Sequence, residues 1–193
     1  YSSGTVYLET ATGDLTVSQN ISTTDTSVNA IKLNAGRAAS VGSIGGGNIV
    51  ISGATTMTVG TGGRITLMTG GITGSTGVSA FVGLGSGHFR YNSDETNTNY
   101  TAALGSGAYA IYREKPVLTI TADDKTIIYG NGVSFTSTVT GYKNSDTLAQ
   151  SIVDAAVITT PATITTSGFY VANTHVLTPS DASSSLGYEI AYV

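Results

Sequence analysis

Two adjacent acid pairs are the places where this sequence gathers oxygen ligands. Asp94-Glu95 lies among Asn92, Asn97 and Asn99, and Asp123-Asp124 would gain a third carboxylate if the fold brought Asp146 alongside. Hard oxygen donors of this kind hold calcium. Neither run has EF-hand spacing, so Asp94, Glu95, Asp123 and Asp124 stand as calcium candidates whose first reading is a solvated loop tip and a turn. His88 and His175 are the two histidines, and neither has a neighbouring Cys or His, so the sequence offers no zinc site and no catalytic triad. Ser, Gly and Lys residues form neither a G-x-S-x-G elbow nor a P-loop, and Gly83, Gly85 and Gly87 read as a turn. No catalytic residue and no cofactor is expected.

Exposed aromatics are the other route to function. Tyr91, Tyr100, Tyr109 and Tyr112 fall close together, and tyrosine is favoured on recognition surfaces. They form either a possible interaction surface or packing for a seam between two parts of the chain.

Composition narrows the class. Charged residues are 10 % of the 193, far below the usual quarter, while hydrophobic residues are 40 %, enough for a core. With net charge −4 and eight scattered Lys and Arg, nucleic acid is not an expected partner. No run of apolar residues is long enough to span a membrane, so no membrane insertion is expected in this segment. The chain opens on Tyr1 and not Met, which reads as an excerpt of something longer.

The elements that must position these residues are written as short alternating triplets. Val6-Tyr7-Leu8, Ile31-Lys32-Leu33, Ile49-Val50-Ile51 and Ile65-Thr66-Leu67 each place two aliphatic residues on one strand face. Leu15-Thr16-Val17 and Met57-Thr58-Val59 form a second series. Fifteen of the 25 glycines lie between Gly42 and Gly87, where they supply corners. The reading is an all-β chain whose residues 1–80 are coils of a right-handed parallel β-helix, with the first series stacked in one ladder. An antiparallel sandwich, with hairpin turns at 11–14 and 58–63, is the alternative. A β-helix can carry a carbohydrate-active site, but such sites need clustered carboxylates, and no Asp or Glu lies between Asp25 and Asp94. The chain therefore reads as non-enzymatic.

Residues 81–115 read as a capping aromatic β-ribbon and linker, with Phe89-Arg-Tyr91 and Tyr109-Ala-Ile-Tyr112 flanking a polar loop. Arg113-Glu-Lys-Pro116 is a charged boundary in a charge-poor sequence. Residues 116–193 read as a small β domain, either β-grasp-like or Ig-like. Its strands are expected at Val117–Ile120, Thr126–Tyr129, Val133–Val139, Phe169–Val171 and Tyr188–Tyr192. One helix is expected at Thr147–Val153, capped by Asp146, with Leu148 and Ile152 on the core.

The second half resembles the MBG domain of the YGX type, carried by Leu118-Thr-Ile-Thr-Ala122, Asp123-Asp-Lys125, Tyr129-Gly130, Phe135, Val139-Thr-Gly141, Asp146-Thr147, Gly168 and Tyr188-Glu-Ile-Ala-Tyr-Val193. The first half resembles, in texture and order, the filamentous-haemagglutinin-like β-helical shafts of secreted adhesins. These resemblances imply a structural or adhesive module of a large secreted protein at the bacterial cell surface. The implied partners are neighbouring copies or modules of that protein and host or matrix glycans. A carbohydrate-binding or carbohydrate-active β-helix protein is the rival reading.

Overall fold

The computed structural model describes residues 3–193. Strands β1 (Val6–Glu9), β2 (Leu15–Val17), β3 (Ile21–Ser22), β4 (Ile31–Asn34), β5 (Ile49–Ile51), β6 (Met57–Thr58) and β7 (Arg64–Thr69) fill the first third. Then come α1 (Val78–Val82), β8 (Phe89–Arg90) and β9 (Gly107–Tyr112). The rest holds β10 (Val117–Ala122), β11 (Ser137–Thr140), α2 (Leu148–Ser151), β12 (Ile152–Asp154), β13 (Val157–Thr159), β14 (Thr178–Ser180), β15 (Ser183–Ser184) and β16 (Glu189–Tyr192). The protein is mostly β.

Every pairing in the first part is parallel. One sheet runs β1-β4-β7-β9-β8, and two smaller ladders pair β2 with β5 and β3 with β6. Pairing skips across long loops: Val6 faces Ile31, Ile31 faces Ile65 and Ile65 faces Ala108. Hairpins at 11–14 and 58–63 would have joined sequence neighbours antiparallel, and that pairing is not made. The triplets alternate as expected, with Ile31 and Leu33 fully buried and Lys32 between them partly exposed.

Their grouping differs from the sequence reading. Ile49–Ile51 does not join the Val6, Ile31 and Ile65 ladder; it stacks on Leu15–Val17. Each of the first two passes of the chain carries three strands, so equivalent positions are 25 to 36 residues apart and not 16 to 18. The inward-outward-inward pattern of β5 satisfies any of the ladders. Unequal loops hide which one it joins: Thr10–Asp14 turns the first corner in five residues, while Ala35–Asn48 uses fourteen in the second pass.

The aromatic segments do not form an antiparallel ribbon. β9 continues the ladder beside β7, and β8 lies parallel beyond it, Phe89 facing Ala110. A two-residue strand cannot dictate its partner by pattern alone.

In the C-terminal part the first and last strands are neighbours. β10 pairs parallel with β16 and antiparallel with β11. The expected strand at Thr126–Tyr129 does not form, and its Ile128 is 76 % exposed. Phe169–Val171 is reduced to one bridge between Ile164 and Tyr170. The expected helix shrinks to α2, whose cap is Thr147; Gln150 Oε1 accepts from the Thr147 amide at 2.9 Å. Leu148 faces solvent. Helix α1 was not anticipated, because five residues show too little of a helical period.

A single hydrophobic cluster joins both parts. Ile31, Leu67, Val78, Phe89, Tyr91 and Tyr112 share it with Leu118, Leu186 and Tyr188. Beyond that seam the domain is thinly packed, and its distal apolar residues, Val153, Ile164 and Val176 among them, are exposed.

Candidate functional site at the junction of the two halves

Three polar devices stand beside the seam, and the second of them spans it. The first is Arg113, the first residue of the charged boundary. It is fully buried, because β9 delivers it past Tyr112 onto the turn that follows β4. Its guanidinium donates to the Ala35 carbonyl at 2.8 Å, to Asn34 Oδ1 at 2.7 Å and to Glu95 Oε2 at 3.2 Å. Its neighbour Glu114 accepts from the Ile72 amide at 2.6 Å, and Lys115 pairs with Glu189 at 2.8 Å on the surface. The boundary tetrapeptide is thus a clamp across the ladder and not a solvated linker. A planar five-donor fork suits this role better than an ammonium would.

The second device is a buried carboxylate. Tyr91, just past β8, and Tyr188, just before β16, both donate to Asp146 Oδ2, at 2.7 and 2.8 Å. Asn144 donates to the Tyr91 hydroxyl at 3.0 Å, and Ser79 of α1 donates to Asn144 Oδ1 at 2.6 Å. The Lys143 amide donates to the Tyr188 hydroxyl at 2.8 Å. Asp146 Oδ1 is buried without a hydrogen bond. Burial pushes the Asp146 pKa up; the two phenol hydrogen bonds and Arg90 act against that shift without cancelling it. Burial likewise raises both phenols, and the Tyr112 hydroxyl goes to about 12.

The third device is Arg90, buried in a cage of carbonyls. It donates to Ala102, Gly87, Phe89 and Ala103 at 2.7–3.0 Å, and its guanidinium lies 5.5 Å from the ring centroids of both Tyr100 and Tyr109. It fixes the long loop between β8 and β9. Backbone bonds then tie the halves: Tyr91 donates to the Leu186 carbonyl, Thr101 and Ala102 donate to that of Ser185, and Gly85 donates to that of Asn144.

Of the two readings of the tyrosines, interaction surface or packing, their burial agrees with packing. Tyr91, Tyr109 and Tyr112 are buried, and Tyr100 is half-buried. Tyr91 stacks on Tyr112 and tilts against Tyr188, while Tyr109 stacks on His88. The apolar faces of Tyr91 and Tyr112 join the shared cluster, while Tyr109 packs within the first half.

Three of the four calcium candidates, Asp94, Glu95 and Asp123, have protein partners. Partial burial raises the Asp94 pKa, but hydrogen bonds from Thr96 and Asn97 outweigh it and hold the carboxyl low. Glu95 is the Arg113 partner. Hydrogen bonds from Thr136 and Thr138 lower the Asp123 pKa, and Asp124 borders a cleft described below. Asp146 sits in the seam, and among the described residues no three His, Asp or Glu side chains gather around one point. His175 is near the surface with Nε2 2.8 Å from the Val171 carbonyl.

Sequence reasoning missed Arg113, Arg90 and Asp146 as structural centres. For Arg90 the available signal was its isolation: a lone cation between Phe89 and Tyr91 either snorkels or is caged.

A cleft of about 880 Å³ opens in the distal part of the domain. Two tilted aromatic pairs line it, Tyr129 with Phe169 and Phe135 with Tyr170, and Asp124 and His175 add polar groups.

Comparison with curated proteins and with solved structures finds no match. Residues 118–193, from the second residue of β10 to the end of the chain, match the family model of the MBG domain (YGX type).

Proposed function

We propose that this chain is a non-catalytic structural and adhesive module of a large secreted bacterial surface protein. In this reading residues 1–80 are coils of a right-handed β-solenoid of the filamentous-haemagglutinin-like kind. Residues 81–115 close its far end, and residues 116–193 form a β-grasp-like domain set on that end. The parallel pairing of first and last strands beside an antiparallel partner favours β-grasp over an Ig-like sandwich.

The observation that carries the reading is the seam. A shared apolar cluster and a carboxylate held by tyrosines from both halves make a stiff joint. Stiff joints transmit force and hold a domain away from a surface, which is what a stalk segment requires. Small-angle X-ray scattering tests this: one rigid conformer should reproduce the profile. A profile that requires independently moving halves would remove the stalk role. Adhesion itself is tested by coating beads with the chain and counting attachment to host cells or matrix.

A second reading, carbohydrate binding, is favoured by the aromatic cleft and not by any face of the parallel ladders. Exposed Tyr129 beside Asp124, Asn131 and His175 offers a ring to stack on sugar C–H faces and groups to bond hydroxyls. A glycan array with wild type and Tyr129→Ala separates the two readings. Glycan capture lost in the variant supports it, and no capture by the wild type removes it.

A further inference from the structure

The first and last strands of the C-terminal domain both start at the seam and run away from it side by side. β16 begins next to Tyr188, whose hydroxyl is bonded to Asp146, and β10 begins one short step past buried Arg113. Their register is parallel, with Val117 facing Glu189 and Ile120 facing Tyr192. The ladder opens on the Glu189 amide, which donates to the Pro116 carbonyl at 2.9 Å. It closes on the Val193 amide, which donates to that of Ile120 at 3.0 Å. Lys115 pairs with Glu189 at its foot, and Leu118 and Ile120 of β10 are buried.

Neither strand has slack at its foot. The Arg113 amide donates to the Thr69 carbonyl and the Glu114 amide to that of Gly70, so the chain stays bound to the first half until Lys115. Pro116 then restricts Lys115 to extended geometry. On the other side, Ser185 and Leu186 are bonded to Thr101, Ala102 and Tyr91. A pull that carries the far end of β16 away from the first half therefore runs along both strands. It drags β16 lengthwise past β10, and a parallel ladder dragged this way loads its evenly spaced bonds together. Pulled sideways, the same bonds open one at a time.

We infer that the β10–β16 ladder is a mechanical clamp, which makes the C-terminal domain resist tension running from the first half to the far end of β16. The tyrosine seam works with it, because β16 slides only if Tyr188 also leaves Asp146 and Tyr91. The property is one of direction: forced unfolding is governed by the barrier along the pull and not by equilibrium stability. The inference rests on the stalk reading, since a segment under tension is where such a clamp acts.

Single-molecule force spectroscopy on the full chain tests it in two directions. In the first, handles at residues 1 and 193 pull end to end. In the second, one handle stays at residue 193 and the other is attached through Thr121→Cys, at the exposed far end of β10; the chain has no other cysteine. In the end-to-end pull, release of residues 117–193 adds roughly 260 Å of chain, which identifies the domain. Its rupture force should be at least about two-fold that of the sideways pull at the same loading rate. Val193→Pro removes the last bond of the ladder and should lower the end-to-end force by about a fifth, with the circular dichroism spectrum unchanged. Equal forces in the two directions overturn the inference, as does an end-to-end force that Val193→Pro leaves unchanged. Scattering decides the stalk separately. Equal forces with one rigid conformer remove the clamp alone, and a directional force with independently moving halves removes the stalk alone.

Discussion

Tyr91 and Tyr188 lie with ring centroids 4.5 Å apart and donate to the same oxygen of Asp146. One comes from the end of the parallel ladder and the other from the last turn before the closing strand. Their meeting makes the joint between the halves a piece of core, with a charge at its centre.

Asp146 should show its burial in the pH dependence of stability. Its pKa is raised in the fold, so the stability it contributes is complete below its unfolded value of about 3.9 and is lost as pH rises through the higher folded value. Asp146→Asn keeps an acceptor for both phenols without the charge. Its stability relative to wild type should therefore improve across that window, read from urea midpoints at several pH values. Asp146→Ala strands two buried hydroxyls and should cost about 2 kcal/mol or more.

Arg113→Ala should be more damaging than its place in a charged tetrapeptide implies. It removes bonds to Ala35, Asn34 and Glu95 and leaves a cavity under the second pass of the chain. A loss of about 3 kcal/mol is expected, with Arg113→Lys recovering only part of it. Glu95→Gln, at the more open end of the pair, should cost about 1 kcal/mol or less. Thermal denaturation of the three variants gives the ranking.

Gly187 should not tolerate a side chain. It sits at φ 95°, and a Cβ there would lie 2.3 Å from the Tyr91 carbonyl oxygen. Gly187→Ala combines left-handed strain with a backbone clash at the seam, for a cost above about 2 kcal/mol. Gly53→Ala, with φ 67° but open space around it, should cost about 1 kcal/mol. A difference smaller than the experimental error would mean that the seam yields easily.

Unfolding should be one transition. The halves share a hydrophobic cluster, so melting followed by near-ultraviolet signals from the tyrosines and by far-ultraviolet strand signal should coincide. Trypsin should leave the bond after buried Arg113 intact in the native state and cut first in the exposed stretch 124–132, at Lys125. Two separated transitions would show that the seam is not part of a common core.

Much of the strand content was legible because alternation is a local property: Ile31-Lys32-Leu33 can bury two side chains and expose one in only one local geometry. The mostly-β class followed from it. The similarity of residues 118–193 to the MBG domain rested likewise on the order of local motifs.

Tertiary structure alone decided which triplet stacks on which, and which polar residues matter. Ile49 carries the same pattern as Ile31 and Ile65 yet joins Leu15, because the loop lengths that set its ladder leave no periodic trace. Arg113 and Asp146 look in sequence like a linker charge and a helix cap. Their roles come from partners 79, 55 and 42 residues away, Asn34, Tyr91 and Tyr188, and no spacing rule reaches that far. Side-chain alternation is fixed by the backbone of a few residues, whereas the desolvation of a charge is fixed by everything that folds around it.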